Sequence, residues 1–231
     1  MQRGYIYKRK HDLEKALADF TEVIRINPKY ELSYRARAFA LNDNKHWLEA
    51  ITDFSKALEI NPKDDVAFEG RGYAYSEAGD QDRAIADFTE MIRIKKSTIA
   101  YKRRAATYSR KGDYALALAD LREATKAAQN DSAAFTNLAW FLAICPDPSL
   151  RNGKDAVIGA TKACELSHWK NGYAIDTLAA ACAENGDFDL AISYENEAFS
   201  CDNVRKADNA EMEKRLVLYQ DHKPFHKDKA Q

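Results

Sequence analysis

Ala16-Leu-Ala-Asp-Phe20, followed by Asn27-Pro28, returns as Ala50-Ile-Thr-Asp-Phe54 with Asn61-Pro62, and again as Ala84-Ile-Ala-Asp-Phe88 before Lys96. These copies lie 34 residues apart, and a fourth, Ala117-Leu-Ala-Asp-Leu121, follows after 33. Upstream of each block a second pattern keeps step: Gly4 and Tyr7, Ala38 and Leu41, Gly72 and Tyr75, Ala105 and Tyr108. Self-similarity at a fixed period of this length marks an array of supersecondary units.

Within a unit, apolar residues recur every three or four positions and so share one helical face. Gly79-Asp80, Gly112-Asp113 and Gly186-Asp187 combine a helix stop with a helix start. Asn27-Pro28 and Asn61-Pro62 end the second helix, because Pro cannot continue it and disfavours a helical residue before it. Each unit therefore reads as two antiparallel helices, with small residues at 4, 38, 72 and 105 and Ala at 16, 50, 84 and 117 allowing close approach.

Small residue, then Tyr or Leu, then Ala-x-x-x-Phe, then Pro resembles the tetratricopeptide repeat over four successive units. The resemblance implies an all-α, right-handed superhelical solenoid with a C-terminal capping helix. The units run 1–28 (truncated), 29–62, 63–96, 97–130, 131–169 and 170–203, with a cap at 204–222 and a flexible tail at 223–231. In the fifth, Cys145-Pro-Asp-Pro-Ser-Leu-Arg-Asn-Gly153 lengthens the turn by about five residues relative to the repeat rule. The sixth places Glu195 where Phe20, Phe54 and Phe88 stand in earlier units. Leu138-Ala-Trp-Phe-Leu-Ala-Ile-Cys-Pro-Asp-Pro with Asp176-Thr-Leu-Ala-Ala-Ala resembles a variant repeat pair of bacterial tetratricopeptide proteins, which suggests a bacterial source. Gly4 and Tyr7 fall in the middle of a first helix, so the first unit opens truncated. The expectation is a fragment of a longer protein or, second, an edge that another copy covers.

The 231 residues carry 35 Lys+Arg against 36 Asp+Glu, a net charge of −1, which argues against a general nucleic-acid binder. No apolar run approaches the ~18 residues of a membrane span. Nothing after Met1 resembles a secretory leader, which favours the cytoplasm if the start is the natural one. Residues 1–130 carry net +4 and residues 131–231 net −5, a polarity able to orient a partner.

Chemistry-bearing motifs are sparse. No nucleophile elbow, Gly-rich phosphate loop, His-Arg-Asp motif or zinc-type spacing occurs, so the chain reads as a non-enzyme without cofactor or metal. His11 and His46 read as equivalent turn residues, 35 apart. Cys182 falls on the repeat position of Tyr7, Leu41 and Tyr75 and reads as core. Asp19, Asp53, Asp87 and Asp120 recur with the repeat and read as structural surface carboxylates. Arg37, Arg71 and Arg104 share another repeat position and read as structural rather than RNA-binding.

The resemblance further implies that the first helices line a concave groove for an extended peptide or a partner helix. By phase, one inward row runs Tyr5, Phe39, Tyr73, Ala106, Trp140 and Ala180, and its aromatics are candidate anchors. Flanking rows contribute Arg35, Glu69, Lys102, Thr136 and Asp176 on one side, and Asn42, Ala143, Ala183, Arg110 and Ile144 on the other. Candidate binding residues are Tyr5, Arg35, Phe39, Asn42, Glu69, Tyr73, Lys102, Arg110 and Trp140. Domains of this repeat that clamp chaperone tails place Lys four residues before Asn or Arg. Here Arg35 precedes Phe39 and Lys102 precedes Ala106, so that clamp is not reproduced. The expected role is a protein-interaction scaffold; the alternatives are a self-associating scaffold or the recruiting arm of a larger bacterial signalling protein.

Overall fold

The computed structural model describes residues 1–205 and 207–229; positions 230 and 231 of the expected tail lie outside them. The described residues are all-α. In chain order the helices are α1 (Gln2–Arg9), α2 (Leu13–Ile26), α3 (Glu31–Asp43), α4 (Trp47–Ile60), α5 (Asp65–Glu77), α6 (Gln81–Ile94) and α7 (Thr98–Lys111). There follow α8 (Tyr114–Ala127), α9 (Ser132–Ile144), α10 (Gly153–Leu166), α11 (Gly172–Asn185), α12 (Phe188–Phe199) and α13 (Asn209–Gln220). Two compact units are present, Met1–Thr107 and Tyr108 onward, divided inside α7.

In the first unit each helix from α1 to α6 packs on the next, and the first helices α3 and α5 also touch directly. Asp12, Asp64 and Asp80 cap helix N-termini through their side chains, each worth about 1 kcal/mol. Asn27 and Asn61 leave the helical region just before their prolines and close α2 and α4 as the sequence indicates. The turn inside each pair follows one rule. Asp12, His46 and Asp80 donate their backbone N–H to the carbonyls of Tyr7, Leu41 and Tyr75 at 2.9–3.0 Å. The residue before each donor is left-handed: His11, Lys45 and Gly79. His46 is therefore not the counterpart of His11, contrary to the sequence reading. Lys45 takes that position, and His46 stands one residue on, its Nδ1 3.0 Å from Glu49 Oε1.

Phe20, Phe54 and Phe88 are fully buried, each contributing roughly 2–3 kcal/mol of apolar transfer. They leave no room for larger neighbours: a Cβ on Gly70 would lie 2.2 Å from Phe54 Cζ. The periodic Arg and Asp residues form a staple. Arg37 donates through Nε and Nη2 to Asp53 at 2.7 and 2.8 Å, and through Nη1 to Thr21 of the preceding pair at 2.9 Å. Arg71 repeats this with Asp87 and Ser55, and Arg3 reaches Asp19. Arg37 and Arg71 each tie their own second helix to the one before.

In the second unit α8 packs on α9, α9 on α10, α10 on α11, α11 on α12 and α12 on α13, with α9 also touching α11. The same turn bond recurs from Asp113 to Tyr108 and from Asp187 to Cys182, each 2.9 Å. In the fifth unit Asn152 makes it to Leu142 at 2.9 Å, so the inserted segment loops out and the bond closes beyond it. α11 is buried from Ala174 through Ala183, because α13 and the chain after it lie on the side expected to be open. α13 turns Met212, Arg215 and Tyr219 inward. Within the tail expected to be flexible, residues 225–227 contact the core. Phe225 packs on the core, and the backbone N–H of Lys227 donates to the Ile144 carbonyl at 3.0 Å.

Candidate functional site

In the first unit the aromatic row rests on the second-helix rings by its edges. Tyr5 meets Phe20 at 5.3 Å between centroids, Phe39 meets Phe54 at 5.0 Å, and Tyr73 meets Trp47 at 5.8 Å, all edge to face. Tyr5 remains 45% exposed, while Phe39 and Tyr73 are half-buried. Cations from adjacent first helices lie over two of these rings: Lys8 Nζ 5.8 Å from the Phe39 centroid and Arg103 Cζ 5.5 Å from that of Tyr73. Lys8 also reaches Asp43 at 2.9 Å, and Arg103 reaches Glu69 at 3.3 Å. The row is thus an amphipathic surface of half-open rings and paired charges. A partner segment can lay apolar side chains on it and exchange ion pairs at its rim.

The flanking polar candidates divide. Arg35 donates through Nη1 to both oxygens of Asp64, at 2.9 and 2.7 Å, and Asp64 also caps α5. Its charge therefore holds two elements together. Asn42 is buried and donates to the Gly70 carbonyl at 3.0 Å; it cannot contact a ligand, which corrects its placement on the groove. Glu69 keeps its place beside Tyr73 through Arg103. Lys102 lies half-buried on α7 and Ala106 is exposed one turn later.

In the second unit Arg110 is exposed and Trp140 is half-buried. The Phe225 ring lies 6.5 Å from that of Trp140, and the Arg215 guanidinium sits 5.3 Å from Trp140 and 5.8 Å from Phe225. His226 Nε2 lies 2.6 Å from Glu184 Oε2, while Glu184 Oε1 accepts from Arg151 at 3.0 Å. Ala143, Ile144, Ala180 and Ala183, all placed on the inner surface by phase, are buried under this cover. Asp176, from the flanking row, is buried too and accepts from Arg215 Nη2 at 2.5 Å.

Glu195, standing at the repeat's Phe position, is fully buried, its Oε1 3.5 Å from Arg215 Nε. Burial first, and the neighbouring Asp176 second, push its carboxyl well above the usual range; burial also raises Asp176. Two carboxyl groups facing one guanidinium disfavour the state in which both are ionised. Cys164 and Cys182 are buried and burial pushes their thiols up, to about 12 and about 11. They behave as core residues, as read for Cys182. Among the described residues no cluster of three or more His, Cys, Asp or Glu could hold a metal, and no helix is long and apolar enough to cross a membrane.

Arg103, Arg215 and Phe225 escaped the sequence reading. Arg103 falls beside the row rather than on it. Arg215 belongs to no repeat position, though the charge at Glu195 called for a partner. Phe225, flanked by Pro224 and His226, is the single large apolar residue in a polar tail.

With helix pairs and the repeating turn in both units, and the buried Phe ladder in the first, each unit has the architecture of a helical repeat array. Models of the tetratricopeptide repeat match residues 1–30, 54–86 and 100–131. These segments carry tetratricopeptide repeats, a fold that generally mediates protein–protein interaction. No curated protein sequence matches it. Among solved structures it is similar to PilW, a type IV pilus biogenesis factor, at TM-score 0.73 and 19% identity over 91% of this chain and 96% of that one. It is also similar to YrrB, described as a tetratricopeptide protein with an unusual peptide-binding site, at TM-score 0.61 and 18% identity, covering 87% and 96%. A chain of the Cut9–Hcn1 hetero-tetramer of APC/C gives TM-score 0.71 at 17% identity, covering 94% of this chain and 41% of that one. At these identities the likeness is one of fold.

Proposed function

We propose that the chain is a non-catalytic protein-interaction scaffold whose first unit holds an extended segment or helix against Tyr5, Phe39 and Tyr73. The observation that carries this reading is the row itself. Each ring is fixed by its edge on a second-helix aromatic yet keeps surface open, so a partner gains apolar contact without ordering a loose side chain. Lys8–Asp43 and Arg103–Glu69 supply exchangeable charges of both signs at the margin. The unusual peptide-binding site of YrrB supports the same use of this fold.

Selection of phage-displayed peptides on the intact chain tests it. Enriched peptides should bind wild type and lose at least tenfold in affinity for Tyr5→Ala/Tyr73→Ala of unchanged helicity. Equal binding to both would end the reading. A second reading, self-association through the α1 edge, is favoured by Tyr5 and Ile6, which are 45% and 43% exposed on one short helix. It predicts a sedimentation coefficient that rises with concentration and stops rising in Ile6→Glu.

A further inference from the structure

In the second unit, part of the surface that the repeat presents to ligands is occupied by the chain's own residues. After α13 the backbone turns at His222, whose φ is positive, and runs without regular structure over the C-terminal ends of α9 and α11. Three contacts of different kinds hold it: the Phe225 ring against Trp140 and Arg215, the His226 imidazole on Glu184, and the Lys227 N–H on the carbonyl of Ile144. Ile144 is the last residue of α9, and the carbonyls of a helix's last turn lack partners within the helix. An aromatic anchor, one charge-assisted contact and one main-chain bond to an extended segment are the ingredients of peptide recognition.

We propose that Trp140, Ile144 and Glu184 form a peptide-docking site for a partner protein's extended segment carrying an aromatic residue followed directly by Arg, with residues 224–227 as its internal resident. The site lies in the second unit and is separate from the aromatic row of the first. The identity of the cation follows from the acceptor. Glu184 commits one oxygen to Arg151 and offers the other, which His226 satisfies as a full charge only when protonated. Arg is charged at every physiological pH and presents a fork of donors. The same reasoning selects another protein over a second copy of this chain. Any incoming segment competes with a tethered resident at an effective concentration in the millimolar range; a copy's identical tail gains nothing by entering, whereas a segment with Arg in place of His226 gains a permanent charge on Glu184.

The test uses the full-length chain and a synthetic peptide of residues 220–229, in its native form and with His226→Arg. Phe225→Ala/His226→Ala in the protein vacates the site; circular dichroism verifies its helicity, and Phe225→Ser alone serves as an independent vacating variant. By calorimetry the vacated chain should bind the native peptide at least tenfold more tightly than wild type does. The His226→Arg peptide should bind more tightly still, and adding Trp140→Ala or Glu184→Gln to the vacated protein should weaken both. Absence of saturable binding to both helical vacated variants, or equal binding by vacated and wild-type chains, would overturn the proposal. So would a wild-type dimer that dissociates on Phe225→Ala, which would assign the site to tails exchanged between copies. Loss of peptide binding to the first unit's row would leave these measurements unaffected.

Discussion

Arg71 and Asp87 meet through two parallel N–H···O bonds of 2.8 Å each, while the remaining arm of the guanidinium reaches Ser55 on the preceding second helix. One side chain therefore fastens α5 to both α6 and α4. Asp87→Ala strands a half-buried guanidinium and should cost about 2 kcal/mol in urea denaturation. Arg71→Met should cost a similar amount, since it keeps an apolar stem but strands the more deeply buried Asp87, and a double-mutant cycle should return a coupling of about 1 kcal/mol. Additive losses would show that the pair contributes no stability.

Gly70 faces the Phe54 ring so closely that a methyl group cannot enter without displacing it. Ala favours a helix over Gly by ~1 kcal/mol, so an exposed site would gain from the change. Here Gly70→Ala should lower stability by about 2 kcal/mol through overpacking. A raised melting temperature would mean that the ring yields freely.

The buried trio of Asp176, Glu195 and Arg215 makes stability depend on pH. Burial and the neighbouring Asp176 push Glu195 up to about 9 in the folded chain from an ordinary value of 4.5. The folded state therefore keeps a proton that the unfolded state releases. The associated stability is complete below the unfolded value and is lost as pH rises through the folded one. The melting temperature of wild type should fall from about pH 4.5 to about pH 9 and level off above. Glu195→Gln, which is neutral throughout, should flatten that slope, and an unchanged slope would place the proton elsewhere.

Much of this architecture is legible from spacing. The 34-residue period gives the helix pairs, and the phase of Ala16, Phe20 and their copies gives the core. The Arg–Asp staple is legible too, since Arg3, Arg37 and Arg71 each precede their partner by 16 residues. Periodicity places a position on a face but says nothing of what later covers it. Asn42 therefore looked available although Gly70 claims it, and Trp140 looked open although Phe225 lies over it. The covering residues belong to no repeat, and long-range contacts of that kind leave no period to read. Glu195 was the exception: a charge at a Phe position announced that a partner had to arrive from outside the pattern.

Thiol chemistry separates the four cysteines. Cys145, Cys164 and Cys182 are buried, whereas Cys201 is half-exposed, and burial raises the pKa of every one of them. The thiolate is the reactive species, so iodoacetamide should label Cys201 first and slowly in the native chain. Rapid labelling of Cys164 would indicate that the second unit opens.

The central claim is that partners bind across the first-helix face of the first unit. A photo-reactive amino acid at Ala106, exposed on α7, or at Lys56, exposed on α4 away from the aromatic row, tests it most directly. On irradiation in the host cell, the Ala106 position should yield a discrete adduct that disappears when Tyr73→Ala is added, while Lys56 yields none. Adducts from Lys56 with none from Ala106 would contradict the account and move the partner to the opposite face.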